Sequence, residues 1–245
     1  MIDATDWMNR WDRQQAAYLP EREMWLGLVL DVVEALVGEP RRLVDLASGP
    51  GSIAVRAADR FPSVHAVAVD ADPFLLELGR RAAGSGRISF RRADLLAPGW
   101  DTVLGAESVD VVCSATSLHY FSAEDFSELA AVLARRLRTG GVFVNLDTLE
   151  LGAEVPRLSA LAARLRDHAW DGATAHEDWQ NWWAAAQAEP AFAELHTERD
   201  RLAIAPTEAA PVTLAEMTAA LRSAGFAEVG VLRQVADKHL VVALR

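Results

Sequence analysis

LVDLASGPGS, residues 43–52, is apolar over its first half except for Asp45 and then breaks into Gly49-Pro50-Gly51. An apolar run that ends in a glycine turn predicts a strand turning sharply into a helix, as in a doubly wound α/β sheet. Ligands of such sheets lie beyond the carboxyl ends of the strands, so residues 45–52 are expected to line a ligand site. The spacing of the dinucleotide fingerprint G-x-G-x-x-G falls here on Ala47, Gly49 and Ser52, an incomplete match. Asp45 would also repel a pyrophosphate. An acid at that point suits a ligand with an ammonium group, unless it merely pairs with Arg41 or Arg42.

Working outward, RLVDLA, VHAVAVD, RISFRRAD, VDVVCSA and GGVFVNLD are short runs rich in Val, Ile and Phe, several of them apolar throughout. They predict strands buried on both faces. Helical stretches separate them. Asp72 before Pro73 predicts an N-cap and first helical residue, and Ser122 with Asp125 opens the next helix, which Gly140 is expected to stop. Alternation of this kind predicts βαβ units on a parallel sheet. Residues 7–37 add one or two helices ahead of that repeat.

The pattern changes after residue 150. EVPRLSALAARLRDHAW and AHEDWQNWWAAAQ are two helical stretches with no strand between them, which predicts a helical insertion over 151–205. PVTLAEMTAALRSAGF then restores the alternation, with Thr213 and Glu216 at capping-box spacing. AEVGVLRQVADKHLVVALR closes the chain as two strand-like runs separated by ADK, an antiparallel hairpin that leaves one strand opposed to the rest. The expected architecture is therefore α/β, a seven-stranded, mostly parallel, doubly wound sheet. Residues 1–40 form a helical cover, 41–150 the ligand-binding core, 151–205 an insertion over the acceptor site, and 206–245 a helix and hairpin that complete the core.

Composition narrows the partners. The chain has 245 residues, 51% of them hydrophobic, and a formal net charge of −11. That length and apolar content are enough for a sizeable core. Its acidic balance disfavours nucleic acid and anionic lipid. The lone Cys113 sits in an apolar run, where it reads as a small buried hydrophobe and gives neither a disulfide framework nor a metal site. No apolar stretch reaches membrane-spanning length, and the first ten residues carry acids without an apolar signal region. The expectation is a soluble cytoplasmic protein with no membrane partner. Oligomeric state is not predicted.

Three acids end three successive predicted strands. Asp45 precedes the glycine turn, and Asp70 lies about 20 residues after the glycines, where a carboxylate can accept both hydroxyls of a ribose. Asp94 follows the third strand. Ammonium, ribose and adenine together describe S-adenosylmethionine better than NAD. At these residues the chain resembles the Rossmann-like S-adenosylmethionine-dependent methyltransferases: VDLASGPGS is similar to their first motif, AVDAD to the ribose-binding strand end, RADLL to the adenine-side acid and SATSLHYF to the segment after the fourth strand. Ala47 departs from the family's usual glycine. SLHYF, GGVFVNLD, the tryptophan-rich insertion and LRSAGFAEVGVLRQV are similar to bacterial small-molecule methyltransferases. The resemblance implies a cofactor site of Asp45, Ala47, Ser48, Gly49, Gly51, Asp70, Ala71, Asp94, Leu95 and Ser114, with Tyr18 and Arg22 covering the methionine end.

On the acceptor side His119 stands after the fourth strand, and histidine accepts a proton near neutral pH. His176, Trp179 and Trp183 recur at helical spacing and would present one face to an apolar or aromatic acceptor; alternatively the tryptophans dock the insertion onto the core. His119 and His176 are the candidate catalytic residues, and Tyr120, Trp179 and Trp183 the candidate acceptor contacts. His65 and His239 carry no evident role. The expected reaction is in-line methyl transfer from S-adenosylmethionine to a small molecule. Alternatives are a nucleic-acid (RNA) methyltransferase, a non-catalytic S-adenosylmethionine sensor and, disfavoured by Asp45, a dehydrogenase.

Overall fold

The computed structural model describes residues 3–84, 86–171, 177–202 and 210–245. Two helices, α1 (Ala4–Tyr18) and α2 (Arg22–Val37), precede β1 (Arg42–Leu46). Then follow α3 (Ser52–Arg60), β2 (His65–Asp70), α4 (Pro73–Ala82), β3 (Ile88–Arg92), β4 (Val109–Ala115), α5 (Ala123–Arg136) and β5 (Leu137–Thr148). The insertion holds α6 (Pro156–Asp171), α7 (Trp179–Ala188) and α8 (Ala193–Arg201), and the chain closes with α9 (Leu214–Ser223), β6 (Glu228–Val235) and β7 (Lys238–Leu244).

The seven strands form one sheet in the order β3-β2-β1-β4-β5-β7-β6. β1 pairs in parallel with both β2 and β4, and β7 runs antiparallel between β5 and β6. The strand opposed to the rest is thus β7, while β6 at the edge is parallel to the core strands. Strand order reverses between β1 and β4, and an open α/β sheet takes its ligand at such a switch point. On one face Phe126, Leu129 and Leu133 of α5 and Met217 of α9 pack on Val112, Phe143 and Val241. On the other, Leu26, Val29 and Val33 of α2 and Ile53 and Ala57 of α3 pack on Leu43, Val111 and Val144.

The expected caps are present. Asp72 accepts from the amides of Phe74 and Leu75, and Ser122–Asp125 and Thr213–Glu216 both close capping boxes. Gly140 does not stop α5. That helix ends at Arg136, and Gly140, at φ +74°, lies inside β5 where the register to β4 shifts. Positive φ is cheap for glycine, and here it bends a strand. The hairpin turn is Ala236-Asp237, because Lys238 already belongs to β7. The insertion carries a third helix, α8, beyond the two expected. Its sequence AELHTERDR is polar almost throughout and gives little periodicity to read.

An aromatic cluster ties the insertion down. Trp182 meets the rings of Trp7, Trp11 and Phe74 with centroids 5.8, 5.0 and 5.9 Å away. Trp183 and Phe192 join them, so α7 and α8 rest on α1 and α4. Ion pairs Arg10–Glu177 and Arg199–Asp72 reinforce the same contact. Among the described residues no helix is long and apolar enough to cross a membrane.

α4 also presses on the glycine turn. A Cβ added to Gly79 would stand 2.1 Å from the carbonyl oxygen of Pro50 and 2.6 Å from the Phe90 ring. Backbone cannot yield as a side-chain tip does. Gly79→Ala should therefore destabilise the fold by about 1–3 kcal/mol, despite alanine's better helix propensity. An unchanged urea-unfolding midpoint would contradict this close packing.

Candidate active site

The ends of β1, β2, β4 and β5 surround a cavity of about 590 Å³, roofed by α1, α6 and the start of α7. That size lies within the usual range of small-molecule sites, about 300–1,000 Å³. Its wall includes Tyr18, Arg22, Asp45, Ala47, Ser48, Gly49, Asp70, His119, Tyr120 and Trp179, ten of the residues singled out in the sequence.

At one end β1 and β2 deliver two carboxylates into low-dielectric surroundings. Asp45 is 2% exposed, and its Oδ2 accepts from the amide of Ala54 at 3.0 Å, at the N-terminus of α3. No pairing with Arg41 or Arg42 exists: the amides of both bind Asp110, and the Arg42 side chain pairs with Glu107. Burial pushes the Asp45 pKa up to about 7, against the pull of its amide bonds and with a further push from Asp70. Asp70 accepts from the amides of Gly49 at 2.7 Å and Asp72 at 2.8 Å, and burial raises it to about 6. Asp70 thereby holds the glycine turn as well as facing the cavity.

The turn itself is bent for close approach. Ala47, Gly49 and Gly51 all have positive φ, at 48°, 55° and 86°. Glycine adopts that region freely, which explains why one would be expected at position 47; alanine there costs about 1–2 kcal/mol. Thr116, on the facing strand end, is a second non-glycine residue of the cavity wall with φ near 55°. Such strain gathers at functional sites.

Arg22, 7% exposed, completes this end. Its Nη2 donates to Asp12 at 3.0 Å and to Ser52 Oγ at 2.8 Å, while its buried Nε has no partner. A guanidinium and a carboxylate in one cavity wall are complementary to a ligand bearing both a carboxylate and an ammonium group.

At the other end His119, in the short 3-10 turn Leu118–Tyr120 after β4, meets Asp147 of β5. Asp147 Oδ1 lies 2.6 Å from His119 Nδ1, and its Oδ2 accepts from the His119 amide at 3.1 Å. This fixes the ring and its tautomer, with the proton assigned to Nδ1 by its carboxylate partner. Burial works to lower the His119 pKa, but the charge and hydrogen bond of Asp147 outweigh it and hold the pKa above the ordinary value. Tyr120 lies against the imidazole, ring centroids 4.1 Å apart.

The remaining sequence candidates lie off the cavity wall. Ser114 is fully buried and donates to the Leu46 carbonyl at 2.9 Å, tying β4 to β1. Asp94 is exposed two residues past β3 and accepts from the Leu96 amide, and Leu95 packs against the core. Ala71 and Gly51 flank the wall without being part of it. Trp183 belongs to the aromatic cluster, while Trp179 lines the cavity with its ring 5.9 Å from that of Trp183. His176 lies outside the described residues. Asp147, Trp11, Thr148 and Arg166 are additions, contributed by α1, β5 and α6, that the sequence reading did not single out.

The mixed seven-stranded sheet with its antiparallel C-terminal hairpin is the fold of the class I methyltransferases. Residues 43–141 match the family described as "Methyltransferase domain". A demethylmenaquinone methyltransferase of Deinococcus radiodurans is 34% identical over 116 residues, 46% of this chain and 46% of that protein. The chain spans less than half the length of the curated relatives it matches. Among solved structures, an O-methyltransferase family protein from Burkholderia thailandensis superposes with a TM-score of 0.61 at 21% identity, over 96% of this chain and 59% of that one. Human N-acetylserotonin methyltransferase, solved with S-adenosylmethionine, gives 0.55 at 17% identity over 96% and 56%.

Proposed function

We propose that this chain transfers the methyl group of S-adenosylmethionine to a hydroxyl of a small, flat acceptor. The observation that carries the reading is one cavity with Arg22 and Asp45 in its wall at one end and the His119–Asp147 pair at the other. Asp45 would hold the ammonium and Arg22 the carboxylate of the methionine portion, while Asp70 would accept from the ribose hydroxyls. The cofactor supplies a methyl group on a positively charged sulfur, which is an activated leaving group.

The protein then needs to orient the acceptor and take its proton. With Nδ1 donating to Asp147, Nε2 of His119 is the ring's available base. It accepts the hydroxyl proton as the acceptor oxygen bonds to the methyl carbon, and Asp147 stabilises the imidazolium that results. Trp179 and Tyr120 suit a flat, apolar acceptor body. A net charge of −11 supports a small-molecule acceptor over nucleic acid.

Calorimetric titration with S-adenosylmethionine, S-adenosylhomocysteine and NAD tests the reading. Both adenosyl ligands should bind and NAD should not. A carboxylate must be ionised to hold an ammonium group, so affinity is full above the Asp45 pKa of about 7 and falls as pH drops through it. Between about pH 7.5 and 6 the dissociation constant should rise roughly tenfold, because each pH unit below the pKa removes about nine-tenths of the ionised form. A pH-independent affinity would remove Asp45 from the ammonium site, and tight NAD binding alone would overturn the reading.

A further inference from the structure

We propose that Ser117 is a positioning residue of the cofactor site, its hydroxyl latching the strained turn at Ala47 to the segment that carries His119. This role rests on the methyltransferase reading and belongs to the same cavity, whose wall includes both Ala47 and Ser117.

Ala47 has φ 48°, a region that an L side chain disfavours, so this turn does not hold its shape by backbone preference. Neighbouring groups must hold it. β1 pairs with β4 as far as Leu46 and Ser114, which leaves the Ala47 carbonyl one residue past the ladder. Two serines of the facing strand end continue the pairing with their side chains. Ser114 Oγ donates to the Leu46 carbonyl at 2.9 Å, and Ser117 Oγ donates to the Ala47 carbonyl at 3.1 Å. From the other side the Ser48 amide donates to the Val69 carbonyl at 3.0 Å, and the Gly49 amide to Asp70. The turn is thus clasped between β4 and β2.

A serine hydroxyl has one proton to give. Ser117 Oγ also lies 3.1 Å from the Ala115 carbonyl, but Thr116 Oγ1 already donates to that oxygen at 2.8 Å, which leaves the Ser117 proton for Ala47. The segment that bears Ser117 is itself anchored on both sides. The Thr116 amide donates to the Leu146 carbonyl at 2.8 Å, Leu118 is fully buried, and the His119 amide donates to Asp147. Ser117 therefore ties a strained turn to a fixed one. A turn already in its binding shape takes the cofactor without first being ordered, so the latch acts on affinity.

Calorimetric titration of S-adenosylhomocysteine into a double-mutant cycle of Ser117→Ala and Ala47→Gly tests this role. With Ala47 in place, Ser117→Ala should raise the dissociation constant about three- to tenfold, the effect of one net hydrogen bond. Glycine adopts positive φ unaided, so in the Ala47→Gly background the same substitution should change it less than about twofold. Ser117→Thr and Ser117→Val, nearly equal in shape, repeat the comparison at constant volume, and the hydroxyl-bearing variant should bind more tightly. A Ser117→Ala protein that folds only when Ala47→Gly is also present would show the same coupling through stability. Equal losses in the two backgrounds, an unchanged affinity for Ser117→Ala, no difference between the Thr and Val variants, or failure to fold in both backgrounds overturns the proposal. Failure of S-adenosylhomocysteine to bind the wild-type protein would instead overturn the underlying methyltransferase reading.

Discussion

Asp70→Asn should raise the dissociation constant for S-adenosylhomocysteine by about one to two powers of ten. A hydrogen bond to a charged group contributes roughly 1.5–3 kcal/mol, and two ribose hydroxyls would bind this carboxylate, with part of the loss recovered by the amide. Each 1.4 kcal/mol is tenfold. The structure adds a second cost. Both carboxylate oxygens already accept backbone amides, from Gly49 and Asp72, and an asparagine can present an oxygen to only one of them. One amide would face an NH2 group, loosening the turn that the cofactor must meet. The variant should therefore also melt lower than wild type, a loss that a solvent-facing carboxylate would not produce. Calorimetry together with thermal unfolding checks both effects, and a variant with wild-type affinity would dismiss the ribose contact.

That double role shows where sequence reading succeeds and where it stops. The strands of the core were legible because burial on both faces leaves near-continuous apolar runs; VDVVCSA is β4 from first residue to last. Caps were legible because their chemistry is local: Asp72 and the two capping boxes act within three residues of themselves. Asp45 and Asp70 were legible by position at strand ends, although their bonds to Ala54 and Gly49 were not. Asp147 was invisible for a different reason. It ends a strand as Asp70 does, but its partner His119 lies 28 residues away and is brought to it by parallel pairing of β4 and β5. Arg166 needed a contact across 71 residues to the hairpin turn. Gly140 misled because a glycine after a helix is a stop signal, and only the shifted register of β5 reveals a bend instead.

Asp147 is where the proposed chemistry is most exposed to test. His119→Ala should lower turnover by about two to four powers of ten, the usual contribution of a positioned general base. That result alone would not distinguish a base from a packing residue. Asp147→Asn does, because the carboxylate acts on the proton affinity of the ring. In the wild-type protein the charge of Asp147 holds the His119 pKa above its ordinary value, so the neutral, basic form accumulates only as pH rises through that raised pKa. Removing the charge lets burial dominate and lowers the pKa. The acidic limb of kcat/KM should then move to lower pH while the plateau falls, because the imidazolium formed in the reaction loses its stabilising partner. The same downward shift should appear in an NMR titration of the His119 ring without any acceptor. A plateau that falls with no movement of either pKa would mean that Asp147 only holds the ring, and a ring pKa that rises would refute the electrostatic coupling.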